Sequence, residues 1–334
     1  MEFRTLLQAV PSHPKIGYDN KLLLLGSCFT EHIGGWLEDH YFDALTNPFG
    51  VIFNPESVAR SLQNLLEEKV YTESELFEYK GIWSSFDHHS RFSSTDPQHA
   101  LRKMNDMRAT ASEQLKNADF LIVTFGTAWV FTHREEARVV SNCHKLPERV
   151  FERTRLSVTE IVTRWSILLR QLLTVNPGIR VIFTVSPIRH LKDSLHGNQL
   201  SKASLLLAIE ELNNQFENTS YFPSYELLLD DLRDYRFYAE DMVHPADIAI
   251  TYIRNHFSET YFTNETRDIL RQCEKLNKSI HHKPQNPASD AYKCFLIQNI
   301  ASARNLLNKN HFLTLQKPLA ALQSRLDRLE NATE

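Results

Sequence analysis

One stretch constrains this chain more than any other: Leu22-Leu23-Leu24-Leu25-Gly26-Ser27-Cys28-Phe29-Thr30-Glu31-His32. Four consecutive leucines put apolar side chains on both sides of an extended chain. They read as a strand covered on both faces, as in a parallel sheet. Gly26 ends the run. Two candidate nucleophiles, Ser27 and Cys28, follow, and residues 29–41 read as a helix. A strand that turns sharply into a helix leaves its turn residues at the carboxyl edge of the sheet, where open α/β folds place their ligands. The helix also aims free N–H groups and the positive end of its dipole at that point. Such ground suits a thiolate or an anionic intermediate.

The pattern of strand then helix repeats along the chain. Apolar runs at residues 42–45, 120–125, 179–185 and 221–222 read as further strands. Helical spacing follows them at about 54–69, 97–116, 157–175 and 198–218, with a short helix at 225–232 and another opened by Pro245 and running to about 261. Asn54 can cap the first of these, and Pro55 suits its first position. Residues 77–86 read as a hairpin turning at Gly81, and 130–141 as an irregular extension. The alternation predicts a mostly parallel sheet with right-handed crossovers. Beyond residue 262 there are no strand signals, only three helical segments near 264–279, 288–308 and 313–331. The expected division is an α/β domain over 1–262 and a helical extension over 263–334.

Composition removes several functions. The 334 residues are 42 % hydrophobic and 23 % charged, with a net charge of −4, which is ordinary for a globular protein. No basic block or stripe occurs, so nucleic acid is not an expected partner. No apolar run approaches the roughly 18 residues of a membrane span. The first residues lack the apolar core of a signal peptide, which makes a cytoplasmic location the expectation. Cys28, Cys143, Cys273 and Cys294 form no CxxC pair and read as reduced thiols. Only nine glycines are present, and Gly26, Gly50 and Gly126 all lie at or just beyond apolar runs.

Two constellations carry chemistry. The first is Gly26-Ser27-Cys28 with Asp241-x-x-His244. A nucleophile needs a base within hydrogen-bond reach, and the base needs an orienting acceptor. Either Ser27 or Cys28 could be that nucleophile. Plainer roles compete: Cys28 as a buried small apolar residue, Ser27 as a helix cap, Asp241 and His244 as a loop tie. The second constellation is Asp87-His88-His89-Ser90-Arg91 with Arg189-His190 and Lys202. It shows no metal-ligand spacing, so no metal is expected. Arg91, Arg189 and Lys202 are candidate ligands for a substrate carboxylate or phosphate.

The first constellation resembles the SGNH hydrolases, also called the GDSL family, and more closely their GSCFA branch. Gly26-Ser27-Cys28-Phe29-Thr30 carries the branch's name motif, with Thr30 in place of Ala. Later blocks look like Asn47-Pro48-Phe49-Gly50-Val51, Gly126-Thr127-Ala128-Trp129, Asn142-Cys143-His144-Lys145, Ser186-Pro187-Ile188-Arg189-His190 and Asp241-Met242-Val243-His244-Pro245. The resemblance covers roughly residues 20–262. It implies a flavodoxin-like three-layer α/β/α fold and an ester- or acyl-hydrolase ancestry.

This sequence departs from the parent pattern at two points. Laid on Leu-Gly-Asp-Ser-x-Thr, the nucleophile slot holds Cys28, and Ser27 replaces the Asp. The parent's Gly-x-Asn-Asp block, whose Asn donates to the oxyanion, reads Gly126-Thr127-Ala128-Trp129. The resemblance therefore points to backbone N–H groups of the turn and of Gly50 as oxyanion donors, with Asn142 or His144 replacing the missing side chain. Asn47, Gly126, Arg91, Arg189 and His190 complete the expected binding set. The leading expectation is an ester or acyl hydrolase, or an acyltransferase, with a Cys28 (or Ser27)–His244–Asp241 triad, a small-molecule substrate that is a candidate anion, and no cofactor. The alternative is a non-catalytic protein that binds a small anionic ligand or a protein partner in the same cleft.

Overall fold

The four leucines form the inner strand they require. In the computed structural model, which describes residues 4–331, β1 (Lys21–Gly26) buries Leu22, Leu23, Leu24 and Leu25 completely or nearly so. It pairs in parallel with β5 (Phe120–Phe125), β5 with β9 (Arg180–Val185), and β9 with β10 (Thr219–Phe222). A short strand, β2 (Asp43–Thr46), closes the other edge, giving the order β10-β9-β5-β1-β2. Counted along the chain within this sheet, the order is 2-1-3-4-5. Connections leave β1 and β5 in opposite directions, which places the topological switch point between their carboxyl ends.

Alternating side chains serve two helical layers. Leu23 and Leu25, with Leu121, Val123 and Phe125, and Val181, Phe183 and Val185, face one side. There they pack on α2 (Pro55–Leu66), α3 (Pro97–Asn117), α4 (Val158–Val175) and α5 (Ser194–Gln215). Trp165 of α4 is fully buried against Phe125 and Phe183, and its indole N–H donates to the Pro55 carbonyl (3.1 Å). Leu24, Ile122 and Ile182 face the opposite side, beside Phe29 and Ile33 of α1 (Cys28–Asp39) and Phe257 of α7 (Asp247–Tyr261). This is the expected flavodoxin-like three-layer fold.

Caps mark the helix starts. Asn54 Oδ1 accepts from Ser57 N–H (2.8 Å), with Pro55 in the first turn of α2. Ser157 and Glu160 form a reciprocal capping box on α4. The expected hairpin is β3 (Phe77–Tyr79) and β4 (Ile82–Ser84). The expected irregular extension is instead regular: β6 (Trp129–His133) pairs antiparallel with β7 (Arg138–Val140) and with β8 (Phe151–Arg155), a strand the sequence reading missed. A single short turn, α6 (Ser224–Glu226), runs into a π-helical stretch at Leu227–Leu232.

His88 lies fully buried in an aromatic cage, with ring centroids 4.6 Å from Tyr71 and 5.1 Å from Phe49 and Phe92. Burial holds its pKa down at about 3, against the upward pull of Asp87. The unfolded chain therefore binds this proton near 6.5 while the folded chain refuses it, so stability falls as pH drops from 6.5 towards 3. His88→Phe is expected to reduce the stability lost between pH 7 and pH 5 by about 2 kcal/mol, read from urea melts at both values.

The chain divides into two compact units. Among the described residues, the first holds 4–9, Lys21–Gly34 and Ala44–Phe257 and contains most of the sheet. The second holds Val10–Asn20, Gly35–Asp43 and 258–331. In the second, α8 (Asn264–Ile280), α9 (Asp290–Lys309) and α10 (Gln316–Asn331) pack around Leu270, Leu276, Leu296, Ile300, Leu322 and Leu326. Stacked rings of Tyr18, Phe42, Phe262 and Trp36 complete its core. No helix among the described residues is long and apolar enough to cross a membrane.

Candidate active site

The turn after β1 is fastened from three directions. Gly26 N–H donates to Asn47 Oδ1 (2.9 Å), Asn47 N–H to Leu24 O (2.8 Å), and Ile52 N–H to Gly26 O (2.9 Å). Ser27 N–H reaches Thr124 O of β5 (3.3 Å), and Thr30 N–H closes on Ser27 O (2.8 Å). Cys28 is the first residue of α1 and is partly exposed, whereas Ser27 is buried with no hydrogen-bond partner for its hydroxyl among the described residues. Ser27 therefore does not cap α1 through its side chain. Burial pushes the Cys28 thiol up, as does Glu31. The N–H groups of Cys28 and Phe29 pull it down, and so does Lys202.

The Asp-x-x-His spacing folds as a preformed pair. His244 Nδ1 lies 2.6 Å from Asp241 Oδ2, while Asp241 Oδ1 accepts from the N–H groups of Val243 and His244 (both 2.9 Å). Those bonds, two of them from His244, hold the Asp241 carboxyl down at about 2. An ionised carboxylate only accepts, so in the neutral ring Nδ1 carries the proton and Nε2 is the acceptor. His244 is in electrostatic range of His32 and His190, both held below the usual range first by burial, His190 at about 4. His32 lies one turn beyond Cys28 on the same face of α1. No hydrogen bond joins His244 to Cys28 or Ser27 among the described residues.

The floor of the site is polar and buried. Lys202 of α5 donates to Gly126 O (2.7 Å) and Ser186 O (2.6 Å), the carbonyls just beyond β5 and β9. Its neighbour Ser201 accepts from Ala128 N–H (2.8 Å) and meets Thr127 Oγ1 (3.0 Å). The Gly126 turn is thus held from beneath, and Ala128 offers no side-chain donor. His190 N–H donates to Asn198 Oδ1 (3.0 Å), and its ring meets the edge of Phe53.

Several expected roles are displaced. Gly50 N–H donates to Asn47 O (2.7 Å), closing the Asn47-Pro48-Phe49-Gly50 turn, so it is not a free oxyanion donor. Asn47 itself keeps a buried side-chain nitrogen with no hydrogen-bond partner among the described residues. Asn142 Oδ1 accepts from His144 N–H (2.8 Å), and His144 Nε2 is paired with Ser85 O (2.9 Å); both tie down the β7 loop. Arg91 binds Glu31 (3.4 Å) and the Asn47 carbonyl, over the turn. Arg189 stacks on Tyr238 at 4.6 Å. Lys202 is an interior group and not a surface anion ligand. Sequence reasoning did not single out His32 or Ser201; the Cys28/His32 spacing of four was the available signal for the first.

The fold is a doubly wound α/β protein with the Gly26-Ser27-Cys28 turn at its switch point. Comparison with known families is specific. The GSCFA family profile matches residues 21–257, and the profile of the GSCFA domain protein C-terminal domain matches residues 273–328. The chain belongs to the GSCFA family. No curated protein matches it. Among solved structures it is similar to a Clostridium thermocellum family 3 carbohydrate esterase, at 15 % identity and a TM-score of 0.31 over 75 % of this chain and 97 % of that one. It is also similar to an acetyl xylan esterase from the rumen bacterium Butyrivibrio proteoclasticus, at 13 % identity and a TM-score of 0.34 over 75 % of this chain and 67 % of that one.

Proposed function

We propose that the chain is an SGNH-type hydrolase that cleaves an ester or acyl group, with Cys28 as nucleophile, His244 as base and Asp241 as its orienting acid. The 2.6 Å Asp241–His244 pair carries this reading, because it presents an acceptor nitrogen with its tautomer set. His244 Nε2 takes the Cys28 proton, and the sulfur attacks the acyl carbonyl. The proton then passes to the leaving alcohol, and water cleaves the S-acyl intermediate by the same route in reverse. With Gly50 tied into its turn, the oxyanion falls to the Cys28 N–H at the helix start and to Asn47 Nδ2. In this reading residues 1–262 are the hydrolase domain, residues 263–334 an extension, and the substrate a small cytoplasmic ester or acyl compound.

A non-catalytic protein that binds a small anion in this cleft is the competing reading, favoured by Ala128 in the oxyanion slot. Labelling with an acyl-directed electrophilic probe separates the two. Label is expected on the wild type and on Ser27→Ala, and lost in Cys28→Ala. Label that survives Cys28→Ala but not Ser27→Ala moves the nucleophile to Ser27, and no label on any of the three supports the binding protein.

A further inference from the structure

One guanidinium beside the Asp241–His244 loop is held in place without being neutralised. Arg189 follows β9 by four residues, on the segment Ser186-Pro187-Ile188-Arg189-His190. Its neighbours fix that segment at the carboxyl edge of the sheet. Ser186 N–H donates to Phe125 O (2.8 Å), Ile188 is buried, and His190 N–H donates to Asn198 Oδ1 (3.0 Å). The Arg189 guanidinium carbon lies 4.6 Å from the Tyr238 ring centre and 5.4 Å from that of Tyr235. Tyr238 is buried at the root of the loop: it bridges to Pro245, while Ala239 N–H donates to His244 O (2.8 Å). Arg189 is thus packed on the loop that carries Asp241 and His244. Tyr235 is 63 % exposed, so the cluster opens to the surface.

Of the three cations first matched to a substrate anion, two are engaged elsewhere. Lys202 is buried on two backbone carbonyls, and Arg91 binds Glu31 (3.4 Å) and the Asn47 carbonyl. Arg153 and Arg236 are neutralised in turn by Asp193 and by Asp234. Arg189 differs: among the described residues no carboxylate pairs with it. The group that draws on it is the Tyr238 phenol, which burial makes a weaker acid and the Arg189 charge a stronger one. A phenol is neutral at physiological pH and leaves the guanidinium charge uncancelled. Packing on rings uses the face of a guanidinium. Its N–H groups point outward in the plane, in a fork that matches two oxygens of a carboxylate or phosphate. Two rings that hold this fork remove rotamer freedom before a ligand arrives, which favours binding.

We propose that Arg189 binds an anionic oxygen group of the substrate, a carboxylate or a phosphate, at the rim of the site. The substrate class is then an acyl ester that carries a negative charge away from the bond that breaks. Arg189 sets specificity and takes no proton, and Tyr235 and Tyr238 hold it in position. The inference rests on the hydrolase reading for the ester, and on the Arg189 cluster alone for the anion.

Anion titration and ester kinetics test it separately. Inorganic phosphate and succinate are titrated calorimetrically into wild type and Arg189→Gln, the two arms distinguishing phosphate from carboxylate. Saturable binding of at least one to the wild type is expected, weakened about tenfold or more in Arg189→Gln. No binding of either anion to the wild type, or equal affinity in the two proteins, overturns the proposal. If Arg189→Gln does not fold, Arg189→Met is read in its place. In the kinetic arm, para-nitrophenyl acetate is the neutral ester and para-nitrophenyl hemisuccinate the anionic one. Arg189→Gln is expected to lower kcat/KM for the hemisuccinate about tenfold more than for the acetate, chiefly through KM. An unchanged ratio of the two esters, in a protein that binds succinate through Arg189, overturns the specificity role. If the wild type cleaves neither ester, the hydrolase reading fails and the anion titration decides the Arg189 site alone.

Discussion

His244→Ala is expected to slow acylation of Cys28 by a factor of about 10²–10⁴, the range that a positioned general base contributes. Intact-protein mass spectrometry in single-turnover mixing with an activated ester measures this step apart from deacylation. Asp241→Asn is expected to fall in the same range for a different reason. The asparagine oxygen can still accept the Val243 and His244 N–H groups that Asp241 Oδ1 accepts, so the loop keeps its shape. Its amide nitrogen, however, replaces the acceptor 2.6 Å from His244 Nδ1 with a donor. The ring then turns its proton to Nε2 and can no longer take one from sulfur. Asp241→Ala removes the orientation without reversing it and is expected to be the milder change. Acylation rates that are equal in wild type, His244→Ala and Asp241→Asn would exclude the triad. A loss in His244→Ala alone would keep the base and remove the role of Asp241.

The parts of this molecule that were legible in the sequence are those whose signal is local. Residues 22–25, 120–123 and 181–183 are continuous apolar runs because each strand is covered on both faces, and runs of that kind cannot be mistaken for amphipathic helix. The Asn47-Pro48-Phe49-Gly50 turn and the Asp241–His244 pair close within three residues, so their partners lie side by side in the sequence, although Asp-x-x-His became a signal only together with the Gly26-Ser27-Cys28 turn. By contrast, Phe151-Glu152-Arg153-Thr154-Arg155 buries only Phe151 fully, so β8 lacks both the apolar run and a clean alternation. The start of α5 was placed four residues late because its first turn is solvent-facing: Leu195 is 66 % exposed and interrupts the apolar spacing. The function of Gly50 was misjudged for a related reason. Its glycine identity serves the turn, and the donor it was expected to offer is consumed there. Lys202 was visible as a lysine within an apolar helix, but its two acceptors lie 76 and 16 residues away, at the ends of two different strands. No periodicity encodes that convergence.

Gly26→Ala is expected to be the most damaging single substitution in the fold. A Cβ there would lie 2.2 Å from Thr124 O and 2.9 Å from both Thr124 N and Thr30 Oγ1. Thr124 belongs to β5, which is paired on both sides, so its backbone cannot retreat without breaking the register with β1 or β9. Gly26 also has φ +145°, a region that residues with a side chain rarely enter. Backbone strain of about 1–3 kcal/mol and overpacking of similar size together remove roughly 2–6 kcal/mol, a large part of a typical domain's stability. Gly35→Ala in α1 is the matched control: a Cβ there meets nothing within 4 Å, and alanine in a helix is expected to add up to about 1 kcal/mol. Urea melts of both variants measure the contrast, and a Gly26→Ala protein within 1 kcal/mol of wild type would show that the turn tolerates a side chain. The same comparison bears on chemistry. The Gly26 N–H bond to Asn47 Oδ1 and the Ser27 N–H bond to Thr124 O set where α1 begins, so a Gly26→Ala chain that still folds moves the Cys28 sulfur relative to Lys202 and His244. Its thiol reactivity is expected to fall even at temperatures where the sheet remains intact.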